Sequence, residues 1–206
     1  VELYYSKSNE TISASDLLNL STGLEVIGED ADSRIGDAIT EDDDIIQIRT
    51  DKTHHINALD GHDIILDYDG SIYDTTEELF GGNGNDDITS GIASDALFGD
   101  AGNDILRGGK GADRLYGGTG HDELFGGAGY DELFGNEGDD QLTDFSSDSA
   151  SVWQNKLIGG AGNDIIKGTG LLIGGAGSDR LIGSRFDDYL FADEDDDAAS
   201  DFNILD

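Results

Sequence analysis

The chain of 206 residues contains no cysteine, no proline and no methionine. Without cysteine, neither a disulfide nor a thiolate metal site can stabilise the fold. Basic residues are scarce too, since 11 Lys and Arg stand against 46 Asp and Glu, for a net charge of −35. This charge excludes nucleic acid and an anionic membrane as the main partner. A compact chain of this charge repels itself, so we expect bound cations to hold it folded.

Long apolar runs and catalytic motifs are also missing. No run approaches the ~20 residues of a transmembrane helix, so no membrane insertion by this segment is expected. The sequence contains neither a recognisable Ser-His-Asp arrangement nor a phosphate loop, and the acids that repeat are best explained as metal ligands. His54, His55, His62 and His121 share no metal-ligand spacing with Cys or Glu and are interpreted as loop residues. We therefore predict that the chain is not an enzyme.

Glycine, by contrast, is abundant, with 31 residues that follow a repeat. A nine-residue frame, G-G-x-G-x-D-x-U-x with U a large aliphatic residue, runs through seven consecutive units over residues 81–143. A lengthened loop (144–155) and a shortened one (168–170) then change the spacing. Between and after them the frame returns in units that begin at Gly159, Gly174 and, in a worn form, Gly183. We number the places of each unit 1 to 9.

The composition of the frame predicts a loop followed by a strand. Glycines at places 1, 2 and 4 let the backbone turn tightly, so that several carbonyl oxygens point toward one position. The aspartate at place 6 adds an anionic oxygen. Places 7 to 9 form a three-residue strand whose middle side chain points inward. Two units complete a turn, so that loops eighteen residues apart stack at about 4.8 Å. The resulting all-oxygen cage of carbonyls and two carboxylates suits calcium, whereas zinc would require His or Cys.

This frame resembles the calcium-binding nonapeptide of the RTX (repeats-in-toxin, or hemolysin-type) family, clearly over 81–191 and loosely over 25–80. The resemblance implies an all-β, right-handed parallel β-roll (a β-solenoid) with calcium ions between stacked loops. It also implies export by the type I secretion machinery, disorder at low calcium inside the cell, and folding outside it. We therefore expect the protein to be secreted or to lie on a bacterial cell surface.

The resemblance further implies which oxygens bind the metal. In the family, carbonyls of places 1 and 3 face one neighbouring loop, while carbonyls of places 2 and 4 and the place-6 carboxylate face the other. Transferred to this sequence, the metal-binding residues are Gly81, Gly82, Asn83, Gly84, Asp86, Asp95, Gly99, Asp100, Ala101, Gly102, Asp104, Gly108, Gly109, Lys110, Gly111, Asp113, Gly117, Gly118, Thr119, Gly120, Asp122, Gly126, Gly127, Ala128, Gly129, Asp131, Gly135, Asn136, Glu137, Gly138, Asp140, Gly159, Gly160, Ala161, Gly162, Asp164, Gly174, Gly175, Ala176, Gly177 and Asp179.

Two edges of the roll would carry these loops. The first edge stacks the loops that begin at 81, 99, 117, 135, 159 and 174. The second stacks those that begin at 90, 108 and 126 and continues through the irregular 144–155, 168–170 and 183–188. Five sites on the first edge and two on the second give about seven calcium ions. Unit 90–98 has lost two glycines and unit 135–143 one, so weaker binding is expected near Asp95 and between the loops at 135 and 159.

The sequence divides into four predicted segments. Residues 1–24, with the helix-capping Ser and Asp of "SASDLLNL", are an N-terminal cap. Residues 25–80 are degenerate coils, in which acidic residues directly precede short predicted strands, as in "EDDDIIQI" and "DGHDIIL". Residues 81–191 are the calcium-binding roll, and 192–206 are an acidic C-terminal cap or tail. The acid runs at 42–44 and 195–197 are interpreted as solvated surface.

Several apolar side chains have predicted positions. Leu115 and Leu124, at place 8, should be buried, whereas Thr119, at place 3, should be exposed. Tyr116, Phe125 and Phe134 are expected to form one column at place 9 that packs between coils. Trp153 should cover the core at the lengthened loop.

The predicted function is a calcium-binding module that folds in extracellular calcium and supports the secretion, folding and stability of a larger exported adhesin or toxin-like protein. The alternative is an accessory module of a secreted protease, lipase or polysaccharide epimerase. Ice binding would need a regular ladder of Thr and Asn at place 3, which the sequence lacks. The surface ligand of the parent protein is not predicted.

Overall fold

The computed structural model describes residues 3–4, 25–28, 43–48, 55–67, 76–145, 155–185 and 187–192. Over these ranges the chain forms eighteen strands and no helix. The described residues therefore contain no helix that is long and apolar enough to cross a membrane. The strands are β1 (Leu3–Tyr4), β2 (Glu25–Gly28), β3 (Ile45–Ile48), β4 (His55–Asn57), β5 (Ile64–Asp67), β6 (Glu78–Asn83), β7 (Asp87–Thr89), β8 (Ala96–Ala101), β9 (Ile105–Gly111), β10 (Arg114–Thr119), β11 (Glu123–Gly129), β12 (Glu132–Glu137), β13 (Gln141–Asp144), β14 (Lys156–Ala161), β15 (Ile165–Gly168), β16 (Leu171–Ala176), β17 (Arg180–Ile182) and β18 (Tyr189–Phe191).

The strands belong to two parallel sheets. From β3 onward they alternate between them, so that odd-numbered strands lie in a ten-stranded sheet that also holds β1 and β2, and even-numbered strands lie in an eight-stranded sheet. Every pairing is parallel and joins a strand to the strand one full turn further along the chain. The predicted all-β parallel roll is confirmed.

The register of the strands is preserved when the loops change length. Leu115 pairs with Leu97 and Leu133, each eighteen residues away. Leu133 then pairs with Leu157 across twenty-four residues, and Leu157 with Leu172 across fifteen. The loops therefore accommodate the extra or missing residues. The inward aliphatic residue of each turn stays opposite the inward aliphatic residues of the neighbouring turns.

The prediction of three-residue strands was wrong for most of the roll, where strands reach six or seven residues. The reason is that loop residues also pair between turns. Gly118 and Thr119, at places 2 and 3, align with Asp100 and Ala101 of the preceding turn. The first half of each of these loops thus continues the strand.

One inward aliphatic side chain from each strand between β3 and β17 builds the core. These side chains form two facing columns, and nearly all of them are completely buried: Ile46, Ile56, Ile65, Leu79, Ile88, Leu97, Leu106, Leu115, Leu124, Leu133, Leu142, Leu157, Ile166, Leu172 and Leu181. Thr119 is exposed. The predicted inside and outside places are confirmed for this pair of columns and for Thr119.

An aromatic ladder covers the outer face of the eight-stranded sheet. The rings of Phe80, Phe98, Tyr116 and Phe134 stack with centroids 4.4 to 4.9 Å apart and nearly parallel planes. Phe125 is not part of this ladder, contrary to the prediction, because successive units alternate between sheets. It lies instead on the ten-stranded sheet, beneath the guanidinium of Arg107.

Two further predictions for the upstream and flanking segments can be compared with the structure. His55 begins β4, so its interpretation as a loop residue was wrong. Asp44 is buried rather than solvated, with 3% of its surface exposed. The predicted helix cap, Trp153, His54, Asp42 and the acid run at 195–197 all lie outside the described residues.

Candidate metal sites between stacked loops

On the first edge, the place-6 aspartates form a continuous ladder of hydrogen bonds. The backbone N–H of each donates to Oδ1 of the next one along, at 2.7 to 2.9 Å. The members of the ladder, all buried, are Asp44, Asp63, Asp86, Asp104, Asp122, Asp140, Asp164 and Asp179. Stacking of identical loops makes this possible, because each aspartate lies directly over the one before it.

In several of these side chains the second carboxylate oxygen has no such donor. In the described part of the chain, Oδ2 of Asp86, Asp104 and Asp122 is buried and accepts no hydrogen bond. Buried polar atoms in native proteins are almost always satisfied, and a buried anionic oxygen without a donor is costly. These oxygens are therefore suited to bind a cation.

Glycine at place 1 leaves room for this oxygen. A Cβ atom on Gly108 would lie 2.6 Å from Oδ2 of Asp113 in its own loop. It would also lie 2.7 Å from the carbonyl oxygen of Gly126, at place 1 of the following loop. The same pairing of a carboxylate and a carbonyl oxygen recurs at Gly99, Gly117, Gly135, Gly159 and Gly174. Two oxygens thus converge where a side chain would otherwise sit.

The backbone carbonyls of one loop point alternately to the two neighbouring loops. The place-3 carbonyl of Thr119 points to the preceding loop, where it accepts the N–H of Gly102 at 2.8 Å. The place-4 carbonyl of Gly102 points the other way, against Gly120, whose positive φ of 134° and missing side chain allow the close approach. Carbonyls of places 1 and 3 therefore face one neighbour, and those of places 2 and 4 face the other.

The two oxygens of each place-6 carboxylate are directed to different neighbouring loops. The resemblance groups the place-6 carboxylate with the carbonyls of places 2 and 4, which face the following loop. In the structure, Oδ2 of Asp122 meets the carbonyl oxygen of Gly135, in the following loop, beside Gly117, whereas Oδ1 reaches the preceding loop through its bond to Asp104. Backbone N–H groups of the place-6 residues point along the stack toward the following loop, and this direction fixes the orientation of each carboxylate.

On the second edge the ladder is shorter and uses mixed residues. Glu77 donates its N–H to Oδ1 of Asp95, which donates to Asp113, which in turn donates to Asp131. The next acceptor is an amide, since Oδ1 of Asn155 accepts the N–H of Asp131 at 3.1 Å. Carboxylates therefore do not occupy place 6 in every loop of this edge.

The loop at 90–95 has serine in place of the place-1 glycine. Asp95 keeps its place in the ladder and is buried. Ser90, however, stands where other loops have glycine, and its hydroxyl donates to the carbonyl oxygen of Gly108 at 2.6 Å. That carbonyl is one of the predicted metal ligands, so the serine competes with a cation for it.

Burial changes the acid–base properties of the aspartates. Burial, together with the charge of neighbouring carboxylates, raises the pKa of Asp113 to about 8 and that of Asp104 to about 7. The pKa of Asp122 is raised to about 6 for the same first reason. Hydrogen bonds from the backbone act in the opposite direction but do not cancel the effect. A bound cation would favour the ionised forms.

Sequence reasoning missed three members of the ladders, namely Asp44, Asp63 and Glu77. Each is buried at place 6 of a loop that lacks most of the glycines. For Asp44 and Asp63 the available signal was an acid directly before a short aliphatic strand. All the ligand residues predicted from the repeat lie in described loops of the two edges, and their contacts with a metal remain predictions.

A second ladder runs along the surface of the first edge at place 5. Nδ1 of His62 accepts the N–H of Asn85 at 2.7 Å, and Nδ1 of His121 accepts that of Asp139 at 2.8 Å. Oδ1 of Asn103 likewise accepts the backbone N–H of His121. Both histidines are loop residues, as predicted, with a structural role in stacking.

The donor set fits a cation with several oxygen ligands. In the ranges that the structure describes, no three His, Cys, Asp or Glu side chains form a group that could hold a metal. Carboxylates from one or two residues would therefore have to be completed by backbone carbonyls, which the loops provide. Oxygen-only cages of this kind are typical of calcium.

Comparison with known proteins agrees with the geometry. A family model described as the RTX calcium-binding nonapeptide repeat (4 copies) matches residues 78–97, 89–124, 116–143, 154–170 and 173–198, more than half of the chain. No curated protein and no solved structure matches the chain. The chain belongs to the family of RTX calcium-binding nonapeptide repeat proteins, and its roll is a calcium-binding module of the kind found in type I secreted proteins.

Proposed function

We propose that this module is a calcium-dependent folding unit of a larger exported protein, unfolded at low calcium and folded at extracellular calcium. The observation that supports the proposal best is the column of buried place-6 aspartates whose Oδ2 atoms accept no hydrogen bond. In this view calcium serves stability, and the module supports the secretion, folding and stability of the parent adhesin or toxin-like protein.

Charge explains why the metal-free fold should be unstable. The chain carries a net charge of −35, and folding brings many carboxylates into two narrow stacks. Burying an ionised carboxylate without a partner is expensive, and like charges nearby add to the cost. Calcium would remove both penalties, so that its binding free energy becomes folding free energy.

The proposed ligands are those predicted from the repeat. They comprise the place-6 aspartates together with the carbonyls of places 1 to 4 in the regular loops, for about seven ions. Asp63 extends the arrangement upstream, because it is buried and continues the ladder through Asp86. Affinities of ~10⁻⁴–10⁻³ M per site, usual for extracellular modules, would keep the sites empty in the cytosol.

Export by type I secretion machinery, to the medium or to the cell surface, is the part of the proposal that rests on family membership. The absence of cysteine is compatible with it, because calcium would replace disulfides as the element that stabilises the fold outside the cell.

Circular dichroism of the whole chain tests the proposal. With calcium removed, we expect a spectrum of a largely unordered chain, and with millimolar calcium a β-sheet spectrum. Magnesium at the same concentration is the control, since its small octahedral shell fits carbonyl cages poorly and should induce much less structure. A β-sheet spectrum that persists without calcium would refute calcium-dependent folding.

A further inference from the structure

The lengthened loop that begins at Asp144 departs from the repeat in an informative way. In the regular loops, place 1 is a glycine whose carbonyl oxygen points back to place 1 of the preceding loop, as Gly126 does toward Gly108. At place 1 of the lengthened loop stands an aspartate, which is 1% exposed. The frame alone gives no reason for a buried acid here.

The backbone of Asp144 is turned away from the preceding loop. Its carbonyl oxygen accepts the N–H of Thr169 at 3.0 Å, on the side of the following turn. The carboxylate occupies the space that a carbonyl fills elsewhere. A Cβ atom on Gly126 would lie 2.8 Å from Oδ2 of Asp144 and 2.7 Å from Oδ2 of Asp131. In other loops a carboxylate oxygen and a carbonyl oxygen meet at this position, whereas here two carboxylate oxygens meet.

The two acids are close and buried together. Oδ2 of each lies within 2.8 Å of the same Cβ position on Gly126, and Asp131 is completely buried. In the part of the chain that the structure describes, no N–H group donates to Oδ2 of Asp131. Two ionised carboxylates at this separation repel strongly unless a cation lies between them.

Asn155 stands at place 6 of the lengthened loop and keeps only part of the function of an aspartate. Its Oδ1 accepts the ladder N–H of Asp131, but its amide brings no charge. In a regular loop, Oδ2 of the place-6 aspartate meets the place-1 carbonyl oxygen of the following loop, as Asp113 does with Gly126. The carboxylate of Asp144 lies on the opposite side of its loop, toward Gly126 of the preceding loop. It therefore adds its charge to the site of Asp131.

We propose that Asp131 and Asp144 form a further calcium site, which the nonapeptide frame does not encode, with Asp144 as a carboxylate ligand from place 1 of the lengthened loop. The site rests on the proposed function, since it uses the same ion. It differs from the repeat sites in its donor set, because a carboxylate replaces a backbone carbonyl. An additional anionic oxygen should make it one of the tighter sites of the second edge.

Equilibrium dialysis with calcium alone, on the full chain, counts the ions bound. The test variant is Asp144→Asn, which keeps the size of the side chain and removes its charge. The matched control is Asp139→Asn, which removes the same charge at the exposed place 5, where Asn103 and Asn163 already accept ladder bonds. We expect Asp144→Asn to bind one ion fewer than the control and to need more calcium for folding.

A second variant keeps the proposal testable if Asp144→Asn does not fold. Asp131→Asn keeps the oxygen that accepts the N–H of Asp113 and removes the charge from the other side of the same site, so it should lose the same single ion and raise the folding midpoint. An unchanged ion count in Asp144→Asn, or in Asp131→Asn where Asp144→Asn does not fold, would overturn the assignment. A wild-type chain that binds no calcium would instead refute the proposed function itself.

Discussion

The backbone N–H of Asp104 donates to Oδ1 of Asp122, 2.8 Å away in the next loop of the first edge. Oδ2 of the same carboxylate is buried and accepts no hydrogen bond within the described chain. One side chain therefore joins two loops through one oxygen and keeps the other for a ligand. Substitutions can separate these two contributions.

Asp122→Asn should retain the ladder bond and lose the charge, as Asn155 shows for the second edge. We expect the affinity of the sites that it borders to fall by at least roughly tenfold, with a higher calcium midpoint in circular dichroism. Asp122→Ala, which loses both, should raise the midpoint further. If Asp122→Asn matched wild type in calcium affinity, the aspartate would be only a loop-stacking residue.

Burial of the core should affect calcium binding without any change in ligands. Leu124 is completely buried, so Leu124→Ala should cost ~2–5 kcal/mol through lost burial and a cavity. Because folding and binding are linked, the calcium midpoint must rise. Thr119→Ala is the control, since Thr119 is exposed and offers only its carbonyl. Equal shifts in the two titrations would contradict the assigned inside and outside places.

Stability should depend on pH in opposite directions with and without calcium. Unfolded aspartate has a pKa near 3.9, whereas burial raises the pKa of Asp113 to about 8 and that of Asp164 to about 7. A raised pKa in the folded state stabilises the metal-free fold below the unfolded value, and this contribution is lost as the pH rises toward 8. Residual β-structure without calcium should therefore be greatest in acid.

With calcium present, the sign reverses because the calcium-bound fold needs ionised carboxylates. The unfolded chain binds protons at these groups only near and below its pKa of about 3.9. The calcium midpoint should therefore rise as the pH falls from about 5 to about 3. Circular dichroism titrations at several pH values measure both trends. A midpoint that is unchanged over that acidic range would show that these carboxylates are not ligands.

One substitution restores the place-1 glycine of the worn loop at 90–95. Ser90→Gly removes the hydroxyl that donates to the carbonyl oxygen of Gly108, and frees this oxygen for calcium. We expect a lower calcium midpoint than in wild type, even though a buried hydrogen bond is lost. In the wild-type background Asp95→Asn should have a smaller effect than Asp122→Asn, and in the Ser90→Gly background the two effects should become similar. A higher midpoint for Ser90→Gly would show that the serine stabilises the loop instead.

The repeat made most of the roll predictable. A period of nine, with an aliphatic residue at place 8, fixes two sheets, one inward column in each, and the separation of the loops into two edges. The register across the insertion was also predictable, because Leu157 continues the column after Leu133. Local sequence was sufficient here since each turn packs only against its neighbours.

What the sequence did not reveal depends on contacts between loops of unequal length. Glu77 is identified as a ladder residue only by its bond to Asp95, because nothing resembling the frame precedes it. The carboxylate of Asp144 points at Gly126 only because the lengthened loop turns its backbone carbonyl toward Thr169. Phe125 was assigned to the wrong column because the alternation of sheets was not applied to place 9.

The eighteen-residue register, common to both sheets from β6 to β13, makes the length of the module variable in whole turns. Removing residues 99–116 would join Phe98 to Gly117, which keeps place 9 before place 1 and leaves both core columns in order. The shortened chain would lose one place-6 aspartate from each edge and retain both ends. Since each turn contacts only its neighbours, its stability should fall by the contribution of a single turn. The number of ions, the height of the roll and its stability are therefore coupled, and all three can change by duplication or deletion of two consecutive units without a new fold.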